Sequence, residues 1–117
     1  MRYLLMICVD PATASPADPA GSGGPGSDEP TVDWVTEMDR RGVRLAGSVL
    51  RPSDEATTVR VRDGETLLSD GPFAETKEEI VGFDLIECAD LDEALEVARR
   101  HPVAGFGAVE VRALFAD

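Results

Sequence analysis

The sequence predicts an α+β fold, one sheet with two helices packed on one of its faces. Three observations carry this. Apolar periodicity runs in the order strand, helix, strand, then a hairpin, then strand, helix, strand. Each helical segment carries one apolar stripe, and two such helices can cover only one face of one sheet. A chain of 117 residues with 43% hydrophobic composition fits a single domain with a workable core.

The first strand is Tyr3 to Val9, apolar on both parities, as a central strand covered on both sides would be. It ends at Asp10-Pro11. From Pro11 to Asp28 the chain is Pro, Ala, Gly and Ser with little to bury, and reads as a flexible surface loop. A helix follows from Glu29 to Arg41, with Asp28 as its cap and Pro30 in its first turn. Trp34, Val35 and Met38 share its apolar side, and Gly42 stops it. Val43 to Leu50 reads as the next strand.

Thr57 to Arg62 alternates polar and apolar, Asp63-Gly64 turns, and Glu65 to Ser69 returns, which is a strong hairpin signal. Glu79 to Cys88 is another strand, with Val81, Phe83 and Leu85 on one side and Ile80, Gly82, Asp84 and Ile86 on the other. The second helix starts at Asp90, with Glu93 placed for a capping box, and its expected buried stripe is Leu91, Ala94, Leu95 and Ala98. Pro102 prevents its continuation, and Gly107 to Leu114 forms the last strand. The helix-free face is expected to carry Ile80, Gly82 and Ile86 among charged residues. That mixture points to a second copy of the sheet as its cover, giving a homodimer with a cleft between facing sheets.

Composition excludes several classes. With 23 acids against 11 bases, net −12, phosphates would be repelled, so neither nucleic acid nor an anionic membrane is an expected partner. The apolar run of the first strand is too short to span a bilayer and lacks a cleavage pattern, and the two cysteines, Cys8 and Cys88, sit in apolar runs as core thiols do. Both features fit a cytosolic protein in a reducing compartment. No spacing selects a metal, and no glycine-rich loop is placed to hold a phosphate, so no cofactor is expected. Ten of the eleven bases are Arg, which makes the retained Lys77 a pointer to a site needing a compact charge.

The unusual segment is Asp70-Gly71-Pro72-Phe73-Ala74-Glu75-Thr76-Lys77-Glu78. Gly71-Pro72 is a turn, Asp70 can bond back onto it, and Phe73 is the apolar anchor expected to pin the loop to the core. Such a turn can present the polar groups beyond it to a ligand. With this motif, the Asp63-Gly64 turn, Gly82-Phe83, the Asp90 to Ala94 helix start and the Val109 to Arg112 ending, the chain resembles the YCII-related family, and its DGPF branch in particular. The resemblance implies a ferredoxin-like antiparallel sheet that pairs as a dimeric α/β barrel. It also implies a gene context beside alternative sigma factors. The wider family includes members to which a His–Asp pair in a cleft is attributed, one type acting as a dehalogenating enzyme on a chlorinated aromatic. This chain departs from that pattern: its one histidine is His101, at the end of the second helix and not in the loop after the first strand.

The candidate ligand-binding residues are therefore Asp10, Asp70, Phe73, Glu75, Lys77, Asp84 and Arg112. Asp10 and the turn would line a small polar pocket, Lys77 would face an anionic or carbonyl group, and a carboxylate of raised pKa would move a proton. Asp84, Glu110 and Arg112 would meet at the dimer interface, Arg112 neutralising a carboxylate there either as part of a site or as a structural ion cluster. Two functions remain open: a dimer that binds a small polar or anionic molecule, with or without weak acid–base catalysis, and a non-catalytic accessory module that binds another protein.

Overall fold

The computed structural model describes residues 1–11, 29–74 and 77–115. In chain order the elements are β1 (Arg2–Val9), α1 (Glu29–Arg40), β2 (Arg44–Val49), β3 (Thr57–Arg62), β4 (Glu65–Asp70), β5 (Glu79–Glu87), α2 (Leu91–Arg99) and β6 (Ala108–Ala113). Short 3-10 turns at Ser53–Glu55 and Pro102–Gly105 join them. The main sheet has the order β2-β5-β1-β6 with every neighbouring pair antiparallel, and β3 and β4 form a separate two-stranded sheet. This is an α+β architecture consistent with a ferredoxin-like fold, with a hairpin inserted between β2 and β5. The expected loop from Pro11 to Asp28, and with it the Asp28 cap, lies outside the described residues apart from Pro11.

β1 is central, as its double-sided apolarity required. Tyr3, Leu5, Ile7 and Val9 are buried, and Leu4, Met6 and Cys8 on the other side are half-buried. Over the buried side lie Trp34 and Met38 of α1 and Ala94, Val97 and Ala98 of α2. The stripe of α2 is rotated from the expected one: Val97 is buried, whereas Leu91 and Leu95 are exposed. Ala94 and Ala98 let the short helix sit close to the sheet, so its contact line falls between them and Val97 and leaves the leucines at the margin. Asp90 caps α2 as expected, with Glu93 N–H donating to Asp90 Oδ1 (2.9 Å), while the Glu93 carboxylate reaches one residue beyond the capping-box position and accepts from Ala89 N–H (2.7 Å).

The largest correction concerns which parity of β5 faces the helices. Gly82, Asp84 and Ile86 are opposite Ile7, Leu5 and Tyr3, and so lie beneath the helices, buried. Phe83 and Leu85 are opposite Met6 and Leu4 and look out. A bulge between Ile7 and Cys8 sets Ile80 opposite Cys8, and Ile80 is exposed on the outer side. Both parities of β5 hold apolar residues, so its own alternation could not choose; register against β1 did. Two cross-strand rows mark the helix-free face: Ala46, Leu85, Leu4, Arg112 and Ser48, Phe83, Met6, Glu110.

The hairpin turns as its sequence demands, with Asp63 at φ 54° and Gly64 at φ 77°. Its base is tied down by Gly71 N–H donating to Ala56 O (2.7 Å) and Thr58 Oγ1–H donating to Gly71 O (2.9 Å). Phe73 does not anchor this loop in the core. It is 78% exposed, with the Arg60 guanidinium over its ring at 5.2 Å. The core beneath the helices is already filled by aliphatic side chains and Trp34, and the arm stands outside it.

Candidate functional site

A cavity of about 50 Å³ lies between α1 and the β2–β5 side of the sheet, lined in part by Thr31, Arg44, Asp84 and His101. By volume it holds about three to five water molecules, or a ligand of a few heavy atoms. Its polar groups come from four elements. Thr31 is buried on the first turns of α1, Arg44 opens β2, Asp84 is central in β5, and His101 follows α2.

Arg44 Nε donates to Asp84 Oδ1 at 2.8 Å, and its Nη1 lies 3.7 Å from Asp39 Oδ1 near the end of α1. Burial pushes the Asp84 carboxyl above its ordinary pKa, and the hydrogen bond and charge of Arg44 pull it only part of the way back. Gly47 makes room for this pair. A Cβ there would run into the Asp84 carboxylate, would sit 2.5 Å from Arg44 Nη2, and would come within 2.9 Å of Phe83 O. Only a glycine lets β2 pass so close to the ion pair.

His101 is buried, not an exposed helix end. Its Nδ1 accepts the Val103 N–H at 3.1 Å and caps the 3-10 turn, so the neutral ring carries its hydrogen on Nε2. The ring meets Trp34 edge-on at 4.8 Å between centroids, and Trp34 Nε1–H donates to Val97 O at 3.0 Å. One tryptophan thus ties α1 to α2 and holds the imidazole in place.

The residues expected from the sequence are distributed among several places. Asp10, buried at the end of β1, and Lys77 do meet, with Nζ 3.8 Å from Oδ2. Lys77 is largely exposed, so the pair is screened, and Lys77→Ala is expected to cost no more than about 1 kcal/mol in a urea melt. A loss several times larger would mean that this contact organises the loop. Asp70 closes β4 opposite Thr57, and Phe73 is on the surface. Glu75 and Thr76 lie outside the described residues. Arg112 and Asp84 do not meet: they lie on opposite faces of the sheet, because their partners Leu4 and Leu5 point opposite ways. Arg112 pairs instead with Glu110 at 2.5 Å on the outer face. The carboxylate that needed a neutralising arginine was Asp84, and Arg44 supplies it.

Sequence reasoning missed Arg44, Thr31 and His101. Arg44 left a trace, as an arginine directly after the buried Val43 in a strand otherwise poor in charge. Thr31 and His101 left none, because nothing local marks a residue at a helix start or end as facing a cavity. Cys88 fits core packing, and burial pushes its thiol up to about 11, well away from a reactive thiolate; Cys8 is instead half-buried on the helix-free face, where partial burial also raises its thiol. Among the described residues no cluster of His, Cys, Asp and Glu is placed to hold a metal ion, and no helix is long and apolar enough to cross a membrane.

Comparison with known proteins finds two similarities. A family model described as the YCII-related domain matches residues 1–116. An uncharacterized protein of Rhizobium meliloti (strain 1021) is 43% identical over 101 residues, covering 72% of this chain and 82% of that protein.

Proposed function

The chain belongs to the YCII-related domain family, and from that premise we propose that it binds a small polar molecule in the cleft beneath α1, with Asp84 as the group equipped to exchange a proton with it. The observation that carries this reading is the convergence of Arg44, Asp84 and His101 on one cavity. A buried carboxyl of raised pKa holds a proton more readily than a surface one, and donates it when a basic atom approaches. His101 and Thr31 add groups able to orient a ligand, and the apolar wall of Ile7, Val35 and Val49 limits its size. The site is thus within the subunit, on the helix side, and not between facing sheets.

The literal Asp70-Gly71-Pro72-Phe73 supports placing the chain in the DGPF branch. The two free thiols favour a cytosolic home. A second copy of the chain covers the helix-free face in this reading. That face carries Leu4, Met6, Phe83 and Leu85 but only the mutually paired Glu110 and Arg112 as charges in its two central rows. These rows carry no net charge, so two copies of an acidic chain can face one another there without repulsion.

The ligand reading is tested by thermal shift with formate, acetate and phosphate on wild type, Thr31→Val and His101→Asn. Asparagine keeps an acceptor for the Val103 N–H while removing the imidazole. A bound compound at a hundred times its Kd adds about 2.7 kcal/mol to wild-type stability. That gain is expected to shrink in both variants. No shift with any of the compounds, or an equal shift in all three proteins, would overturn the reading.

A further inference from the structure

The β3–β4 arm has two unlike sides. Thr58, Arg60 and Arg62 share one side, and this side is served by the chain's own Gly71–Phe73 loop through Thr58 Oγ1 and the Arg60–Phe73 contact. The other side carries Thr57, Val59 and Val61, opposite Asp70, Leu68 and Thr66. Val59 and Leu68 form a direct cross-strand apolar pair, yet they are 60% and 68% exposed. A two-stranded hairpin is marginal in water and gains its stability from a covered apolar face. Among the described residues nothing covers that face.

Area decides what covers it. At about 4.8 Å between strands and 3.4 Å per residue, the four-stranded outer face presents roughly 450 Å². Two such faces come to about 900 Å², at the lower edge of the size of a specific interface, ~1,000 Å². The arm adds roughly 200 Å² per subunit at the same spacings, which carries the total above that limit. Charge agrees: in a chain of net −12, the six arm residues on the bare side include one ionisable group, Asp70. We propose that the β3–β4 arm lays its Val59–Val61–Leu68 side on a second copy of the chain, extending a two-fold interface centred on the outer sheet face. The inference rests on the homodimer reading above, and goes beyond it by giving the arm its occupant.

Light scattering with dilution, run on wild type, Leu68→Lys and Leu67→Lys, tests it. Leu68 and Leu67 are neighbours on opposite sides of the arm, and both are exposed, so neither lysine should unfold the subunit; far-UV circular dichroism checks this. Wild type is expected to be a dimer at micromolar concentration. Leu68→Lys should raise the dimer dissociation constant by at least about tenfold, and Leu67→Lys should leave it near wild type. Amide exchange over residues 57–70 should slow as protein concentration rises. A wild-type dimer weakened by neither lysine, or by both alike, overturns the arm's role while leaving the dimer standing. A monomeric wild type overturns both, and leaves the ligand cleft to its own test.

Discussion

Arg44→Met is expected to lower the stability of the folded chain by about 3 kcal/mol at neutral pH, because it leaves the Asp84 carboxylate buried without its counter-charge. In a domain of this size that corresponds to a fall in Tm of roughly 10 °C. The size of the loss follows from the site. The Asp84 side chain is only 8% exposed, and its bond from Arg44 Nε is 2.8 Å. Methionine replaces most of the arginine stem, so the charge is removed with modest loss of packing.

The pH dependence gives the sharper test. In wild type the folded carboxyl titrates above its unfolded value of about 3.9. The folded state therefore binds its proton more tightly, and stability from this group falls as pH rises through the raised value. Without Arg44 the two influences that pull the carboxyl down are gone, so it titrates higher still and the window of falling stability widens upward. The deficit of Arg44→Met should therefore be greatest at neutral pH and should nearly vanish in acid, where Asp84 is protonated in both folded and unfolded chains. Denaturant melts of wild type and variant across that range measure it. A deficit that stays constant with pH would assign the loss to packing of the arginine stem and not to the ion pair.

Trp34→Ala is expected to cost about 3 to 5 kcal/mol, the range for removing a buried aromatic side chain from a core. Three interactions go together: the indole fill between α1 and the sheet, the bond from Nε1–H to Val97 O at 3.0 Å, and the edge contact with His101 at 4.8 Å. Trp34→Phe keeps much of the volume and the ring contact but drops the donor, leaving the carbonyl of Val97 to find another partner. It is expected to lie between wild type and alanine, losing about 1 to 3 kcal/mol. Chemical denaturation followed by circular dichroism measures both. If phenylalanine were as costly as alanine, the hydrogen bond between the helices would outweigh the filling of the core. If both were neutral, the helix layer would not depend on this residue. Because the Trp34 ring also positions His101, a ligand found by the thermal-shift screen should bind Trp34→Ala more weakly than Trp34→Phe.

Elements and their order were legible in the sequence because each rests on short-range patterns. Asp90 and Glu93 announced α2, Asp63-Gly64 announced the hairpin, and the seven apolar residues from Tyr3 announced a central strand. The site was less legible. Asp84 was a candidate, but it was assigned to the wrong side of the sheet, and its own arginine went unrecognised. Arg44 lies 40 positions before Asp84, and only the β2–β5 pairing brings them to 2.8 Å. His101 looked like a helix terminus, yet the turn at Pro102 folds it inward against Trp34. Phe73 read as an anchor because it is aromatic, and aromaticity says nothing about whether a core has space left.

What the sequence determined alone was therefore the set of strands and helices, the caps and turns that bound them, and the family to which the chain belongs. These depend on alternation, helical spacing and dipeptide turn chemistry, all settled within a few residues. Tertiary structure alone decided which face of β5 lies under the helices, which arginine meets Asp84, and that His101 lines their cavity. The first two follow from strand register, where a slip of one residue exchanges the two faces of a sheet, and register is set by partners distant in the chain; the third follows from the turn at Pro102, which folds His101 against a tryptophan on another helix.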